Sequence, residues 1–322
     1  MEESIRNYKS TESYDEVLKV IKTYISKNED IEFVTRAFNF ANEKHKQQKR
    51  KSGEPYINHC LSITLMLAKY QSAPVTLAAG FLHDTMEDCG VTYAELKSLF
   101  NEDVADIVQA VTKIKNLPDV SLEESSASTH RKLILAMAKD IRAVIVKLCD
   151  RLHNMRTLQF VNERKQKLIS KETLDVYAPL AHRLGMNEVK VELENLCLYY
   201  LNRDEFNNVS SLVEQRLTNF NFDINKVIKK ISNVLKDNNV PHRIFGRTKH
   251  IYSIYPIFYG IIHKYSISFS FYELINGSST NQSQKDISGF DLYSSFSHYF
   301  MCSCFFTPSY IPDKDLFTIP WF

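Results

Sequence analysis

The chain contains no run of 18 apolar residues, which is about the length a membrane-crossing helix needs. Its opening, MEESIRNYKS, lacks the apolar stretch of a secretory signal. Neither sign of charge dominates: 40 Lys and Arg face 38 Asp and Glu, a formal net charge of +2 over 322 residues. With no global field to draw in nucleic acid or an anionic membrane, any acidic ligand must be held by a local cluster. The six cysteines show no zinc-type spacing, although Cys302 and Cys304 sit close together. Cysteines so placed read as small buried hydrophobes in a reducing compartment, not as a disulfide framework. The expectation is a cytoplasmic, soluble protein without membrane or direct nucleic-acid partners, and with no compositional sign of its oligomeric state. Strand-like alternation is scarce before residue 240, and residues 256–322 contain no Ala, Val or Arg.

The sequence does carry a helical period. Ile31, Val34, Phe38 and Ala41 recur on one helical face. Pro74 suits the first turn of a helix, and the apolar VTLAAGFLH behind it suits a central one. Thr92 and Glu95 have capping-box spacing, and Gly185 is expected to close one helix before Asn187 caps the next. Further helical patterns cover HRKLILAMAKD, AVIVKLCDRLHNM, LDVYAPLAHRLG and NEVKVELENLCLYYLN. Two polar stretches, 46–56 and 116–129, read as mobile loops. The fold class is all-α: a helical bundle, linking helices, then an irregular, poorly ordered C-terminal tail. That tail, 256–322, holds ten of the twenty Phe and no lasting period, as a remnant or out-of-frame end would.

The chemistry gathers at FLHDTMEDCG, residues 81–90. His83 and Asp84 end an apolar segment, His59 opens the apolar NHCLSITLMLAKY, and Asp150 ends the apolar AVIVKLCD. Each would cost several kcal/mol if buried without compensation, and one divalent cation would compensate them together. Two imidazoles with two carboxylates suit a borderline-to-hard ion such as manganese or iron. Glu87 and Asp88 follow His83 and Asp84 at a spacing of one helical turn, which sets fresh carboxylates beside the ion to take or steer a proton. Taken singly, the dipeptide, His59 and Asp150 read as core, cap or ion-pair residues; their order on successive helices favours a shared site. Lys49, Arg50 and Lys51 before Gly53 suit a polyphosphate ligand, or else a solvated loop.

The three segments RKSGEPYINH, HDTMED and LCDRLHNMRTL, with YAPLAHRLGM and FGRTKHIYSIY behind them, resemble the RelA/SpoT family of guanosine alarmone enzymes over most of residues 25–255. The resemblance implies an HD-type helical hydrolase domain. Such a domain uses one manganese ion to release pyrophosphate from the ribose 3′ position of (p)ppGpp, leaving GDP or GTP. His59, His83, Asp84 and Asp150 match the family's metal ligands, and Glu87 and Asp88 its water-activating pair. Arg50, Lys51 and Ser52 match a nucleotide-contacting segment, and Asn154 and Thr157 match residues facing ribose and base. For His153 and Arg156 either a site role or helix packing stays open.

On this resemblance residues 1–200 form the hydrolase domain, 201–255 form linking helices and the start of a synthetase domain, and 256–322 form the atypical tail. Arg247 and Lys249 match vestigial ATP contacts, but the acidic residues that phosphoryl transfer needs are not recognisable after Tyr255, so no synthetase activity is expected. The alternatives are a synthetase, a catalytically silent nucleotide-binding module, and another HD-type nucleotide phosphohydrolase. The RKSGEPY and RLHNMRT segments speak against the last of these.

Overall fold

Helical periodicity becomes helix along most of the chain. The computed structural model describes residues 5, 7, 8, 10, 12–115, 131, 135, 139–219, 224–238, 240, 242–247, 250–255 and 303–308. The chain divides into two units, Met1–Arg203 and Asp204–Phe322. In order, the first unit holds α1 (Tyr14–Ile21), α2 (Asn28–Lys44), α3 (Ile57–Lys69), α4 (Pro74–Leu82), α5 (Thr85–Asp88), α6 (Tyr93–Leu99), α7 (Glu102–Lys115) and α8 (Ile141–Arg156). It continues with α9 (Glu163–Glu172), α10 (Ala178–Arg183) and α11 (Asn187–Leu201). The acidic stretch 116–129 and most of the HRKLILAMAKD pattern lie outside the described residues.

Helix α4 is the axis of this unit. Pro74 stands at its start, where a missing N–H costs nothing. Every residue from Thr76 to Leu82 is buried, so the helix must be walled on all sides. α2, α3, α7 and α8 supply the walls. The contact with α3 is tight at Gly80, where an added Cβ would lie 2.6 Å from Leu67 Cδ1 and 3.0 Å from Thr64 Oγ1. α8 in turn packs on α3, α4, α7 and α11, so the start of α3, the end of α4 and the middle of α8 face one another.

Local chemistry sets the ends of these elements. Ser13 and Glu16 close a reciprocal capping box at α1. At α6 the Thr92 side chain accepts from the Glu95 N–H, but the Glu95 carboxylate pairs with Lys44 at 3.2 Å, which leaves half of the expected box. Gly185, at φ +73°, ends α10 with Met186 N–H donating to Ala181 O and Gly185 N–H to His182 O. Asn187 does not cap α11 with its side chain; Met186 holds the cap position and Asn187 is the first helical residue. The LDVYAPLAHRLG segment is not one regular helix. A π turn over Thr173–Tyr177 precedes α10, just where Pro179 has no N–H to continue the ladder.

The basic stretch 46–56 is a hydrogen-bonded hairpin, not the mobile loop its composition suggests. Arg50 N–H donates to Glu54 O at 2.8 Å, Gly53 N–H to Arg50 O at 2.9 Å and Tyr56 N–H to Gln48 O at 3.0 Å, with Gly53 at φ +87° making the turn. Backbone pairing across the stretch outweighs its polar composition.

In the second unit α12 (Arg203–Asn219, which begins at the division) and α13 (Ile224–Asp237) are followed by β1 (His242–Arg247). α13 packs on β1, and Phe206, Val209, Ile251 and Ile254 are buried. β1 pairs antiparallel with β2 (Ser303–Pro308), in register from His242 opposite Pro308 to Arg247 opposite Ser303. This two-stranded ladder is the one sheet among the otherwise helical described residues, and it falls where the tail sequence, Ser-Cys-Phe-Phe-Thr-Pro, is aromatic and β-branched. Arg247 ends β1, and Lys249 lies outside the described residues.

The close approach at Gly80 yields a test. Gly80→Ala should destabilise the protein by about 1–3 kcal/mol through overpacking between α3 and α4, read as a lowered midpoint in urea unfolding.

Candidate metal centre

Four buried side chains meet where three helices converge. His59 lies in the first turn of α3, His83 caps the C-terminus of α4, Asp84 sits at the N-cap of α5, and Asp150 lies on α8. Their relative exposures are 1%, 1%, 4% and 3%. His83 and Asp84 therefore occupy the break between two helices, not one continuous helix, and the break lets both turn inward.

Ligand atoms of His59, His83 and Asp150 all lie within 4.8 Å of one another. Asp84 joins them through Oδ2, which is 2.8 Å from His83 Nε2 and 3.6 Å from His59 Nε2. His59 Nε2 lies 3.3 Å from Asp150 Oδ1. Although Asp84 is near, His83 Nε2 has no hydrogen-bonded partner. Its other nitrogen, Nδ1, donates to the carbonyl of Gly80 at 2.9 Å, which turns Nε2 toward the centre. Two imidazole nitrogens and two carboxylates, all buried and gathered at one point, fit a divalent cation.

The surroundings keep both carboxyls ionised; burial opposes a charge on His83, but the Asp84 carboxylate more than offsets this and raises it above the ordinary histidine value. Burial alone would raise both carboxyls, but His83 and His59 hold Asp84 well below the usual carboxylate range, and Lys147 with His59 does the same for Asp150. Lys147 is itself buried, with its Nζ 2.6 Å from Asp150 Oδ2. Burial opposes its charge, and the Asp150 carboxylate more than offsets this and keeps the ammonium above its ordinary value. Asn154 Nδ2 donates to Asp150 Oδ1 at 2.6 Å, and Tyr56 Oη donates to Asp84 Oδ2 at 2.5 Å. Tyr56 is in turn stacked on the buried ring of His45, with centroids 4.6 Å apart.

The hairpin closes over one side of the centre. The Arg50 guanidinium donates to Asn154 Oδ1 at 2.9 Å and Thr157 Oγ1 at 3.0 Å, and lies 5.8 Å from the Tyr56 ring centroid. Three residues that the sequence assigns to nucleotide contact thus share one network, which reaches Asp150 through Asn154. Lys51 is exposed, and Ser52 Oγ donates to Glu54 at 3.4 Å. Glu87 and Asp88 are exposed on α5, one turn past Asp84, and Gln48 anchors α5 by donating to the Asp88 carbonyl at 2.9 Å. They are not drawn into the buried cluster.

Of the two undecided residues, Arg156 makes a paired contact with the Glu192 carboxylate at 2.5 and 2.6 Å, a packing role. His153 is buried with Nδ1 2.8 Å from His59 Nδ1, and burial pushes it well below the ordinary histidine value, so its ring is neutral. Sequence reasoning missed Lys147, Tyr56 and His45. Lys147 left a signal, a lone cation inside the apolar AVIVKLCD three residues before an aspartate.

A family model described as "HD domain" matches residues 37–187. A guanosine-3′,5′-bis(diphosphate) 3′-pyrophosphohydrolase of Spiroplasma citri is 40% identical over 243 residues, 75% of this chain and 32% of the relative. The bifunctional (p)ppGpp synthase/hydrolase SpoT of Escherichia coli K12 is 38% identical over 242 residues, 75% of this chain and 34% of that protein. A protein of Aquifex aeolicus with the same name as the Spiroplasma relative is 42% identical over 242 residues, again 75% of this chain and 34% of the relative. The chain therefore spans about a third of the length of the curated relatives it matches.

The Lys147–Asp150 pair gives a direct test of the electrostatics. Asp150 is depressed in the folded state, so its ionisation stabilises above the unfolded carboxylate range of about pH 4. That contribution is lost as pH falls through the lower folded value. Lys147→Met strands the carboxylate and should cost about 3–5 kcal/mol at neutral pH. The deficit should shrink in acid, as the stranded group protonates, and should also shrink on adding Mn2+, both seen in thermal unfolding. Residues 37–187 thus match an HD domain, and three quarters of the chain is similar to about a third of relatives named as (p)ppGpp hydrolases or synthase/hydrolases.

Proposed function

We propose that residues 1–200 form a metal-dependent hydrolase domain that releases pyrophosphate from the ribose 3′ position of (p)ppGpp, leaving GDP or GTP, in the cytoplasm. The observation that carries this reading is the meeting of His59, His83, Asp84 and Asp150 beside the Arg50–Asn154–Thr157 network. A metal set alone would suit many phosphohydrolases; the adjoining network suits a nucleotide, and relatives at about this distance carry the hydrolase name.

One divalent ion, manganese in our reading although iron or zinc suits the same donors, would be held by those four residues and would supply positive charge at the phosphorus and acidify water. The chain's own groups do the rest. Arg50 releases Asn154 and Thr157 to face ribose and base, and with Lys51 it holds phosphate oxygens or stacks on the base, while Ser52 adds a hydroxyl contact at the hairpin tip. Glu87 and Asp88, exposed one turn past Asp84, take or steer the proton of the attacking water. Oxygen from water joins the phosphorus, the bond from phosphorus to the ribose 3′ oxygen breaks, and that oxygen leaves with a proton. Arg247 and Lys249 are remnants of an ATP site, and we propose no pyrophosphate transfer by this chain.

The test is purified protein with ppGpp and Mn2+, scored for GDP and pyrophosphate, with ATP plus GDP as the counter-assay. Hydrolysis and no alarmone synthesis are expected, and Asp84→Ala should abolish turnover while keeping the helical circular-dichroism spectrum. Full Mn2+-dependent turnover by Asp84→Ala would remove the ligand assignment, and alarmone made from ATP and GDP would remove the single-activity reading.

A further inference from the structure

The segment ahead of α1 reaches the back of the metal centre. Ser10 is buried at 4% exposure, and its Oγ lies 2.6 Å from Nε2 of His153. His153 Nδ1 lies 2.8 Å from Nδ1 of His59. The segment is pinned on both sides: Asn58 Nδ2 donates to Ser10 O at 3.2 Å, and Ser62 Oγ donates to Glu12 Oε2 at 2.7 Å, both from α3. Tyr8 packs edge-on against the His153 ring, with centroids 6.0 Å apart.

An imidazole binds a cation through a bare nitrogen, so its other nitrogen must carry the proton and find an acceptor. The usual acceptor is a carboxylate, a backbone carbonyl or water. His83 follows that pattern with Gly80 O. For His59 the acceptor is the side chain of a second histidine, which has only one acceptor nitrogen and must place its own N–H elsewhere. Ser10 Oγ is where it goes. Only one order of protons leaves His59 Nε2 bare toward Asp150 and Asp84: His59 Nδ1–H donates to His153 Nδ1, and His153 Nε2–H donates to Ser10 Oγ.

We propose that His153 and Ser10 are positioning residues, a two-step hydrogen-bond relay from the N-terminal segment that fixes the metal-binding tautomer and ring orientation of His59. The inference rests on the metal site of the proposed function. It adds Ser10, from a part of the chain to which the sequence gives no role, and assigns His153 a role that the sequence left open.

The relay is tested by Mn2+ affinity, read from the free-ion signal in electron paramagnetic resonance, in the full chain, with thermal melting alongside. His153→Leu fills the space without an acceptor and should weaken Mn2+ binding about 10–100-fold. His153→Asn sets an amide oxygen near the lost Nδ1 and should recover most of that affinity. Ser10→Ala removes only the outer partner and should weaken binding in the same direction by less; it carries the test if His153→Leu does not fold. A packing role alone would lower melting points while the folded variants bound Mn2+ like wild type. That result, or an Asn variant as weak as the Leu variant, overturns the relay. A wild-type protein that binds no Mn2+ overturns the metal reading and the relay with it, whereas normal wild-type binding with unchanged variants overturns the relay alone.

Discussion

Two aspartates buried among helices are tolerable only where positive charge meets them. Asp150 is met by Lys147 on its own helix, and Asp84 by the imidazoles of His83 and His59. Much of the architecture serves that meeting. α4 is buried on every side so that its C-cap, His83, can be delivered to the interior, and His83 and Asp84 occupy the break before α5 so that both turn toward one point. Were both imidazoles to turn bare nitrogens to a metal they would carry no charge, the two carboxylates would outnumber the single lysine, and a divalent cation would correct that imbalance.

The helices hold this centre at a fixed size. Without a side chain at Gly80, α3 and α4 lie close enough for His59 to reach the end of α4. α8 brings Asp150, His153, Asn154 and Thr157 along about two turns of one helix: the first to the centre, the second behind it, the last two toward the hairpin. The groups proposed for metal and nucleotide are thus neighbours along one helix, and Arg50 is joined to Asp150 through the single amide of Asn154.

Much of this was legible in the sequence because helices announce themselves locally. The unbroken apolar run after Pro74 marks a central helix, and charged groups at its end, at the start of NHCLSITLMLAKY and at the end of AVIVKLCD stand out against apolar neighbours. The hairpin at 46–56 was not legible, because its backbone pairing depends on a turn at Gly53 that composition does not encode. The roles of His153 and Ser10 were hidden for a similar reason. They lie 143 positions apart, and a histidine partner for a histidine leaves no pattern in the chain. Tyr56 and His45 escaped because one phenol and one ring near a basic loop look like ordinary surface residues until the stack between them is seen. The strand at 303–308 was unexpected because its partner, β1, lies some 60 residues earlier.

The central claim concerns where a cation sits. Crystals grown with Mn2+ and measured at the manganese absorption edge would locate it by anomalous scattering. The account predicts one strong peak bonded to Nε2 of His59, Nε2 of His83 and carboxylate oxygens of Asp84 and Asp150. A peak held instead by Glu87 and Asp88 at the surface, or none at saturating Mn2+, would contradict it.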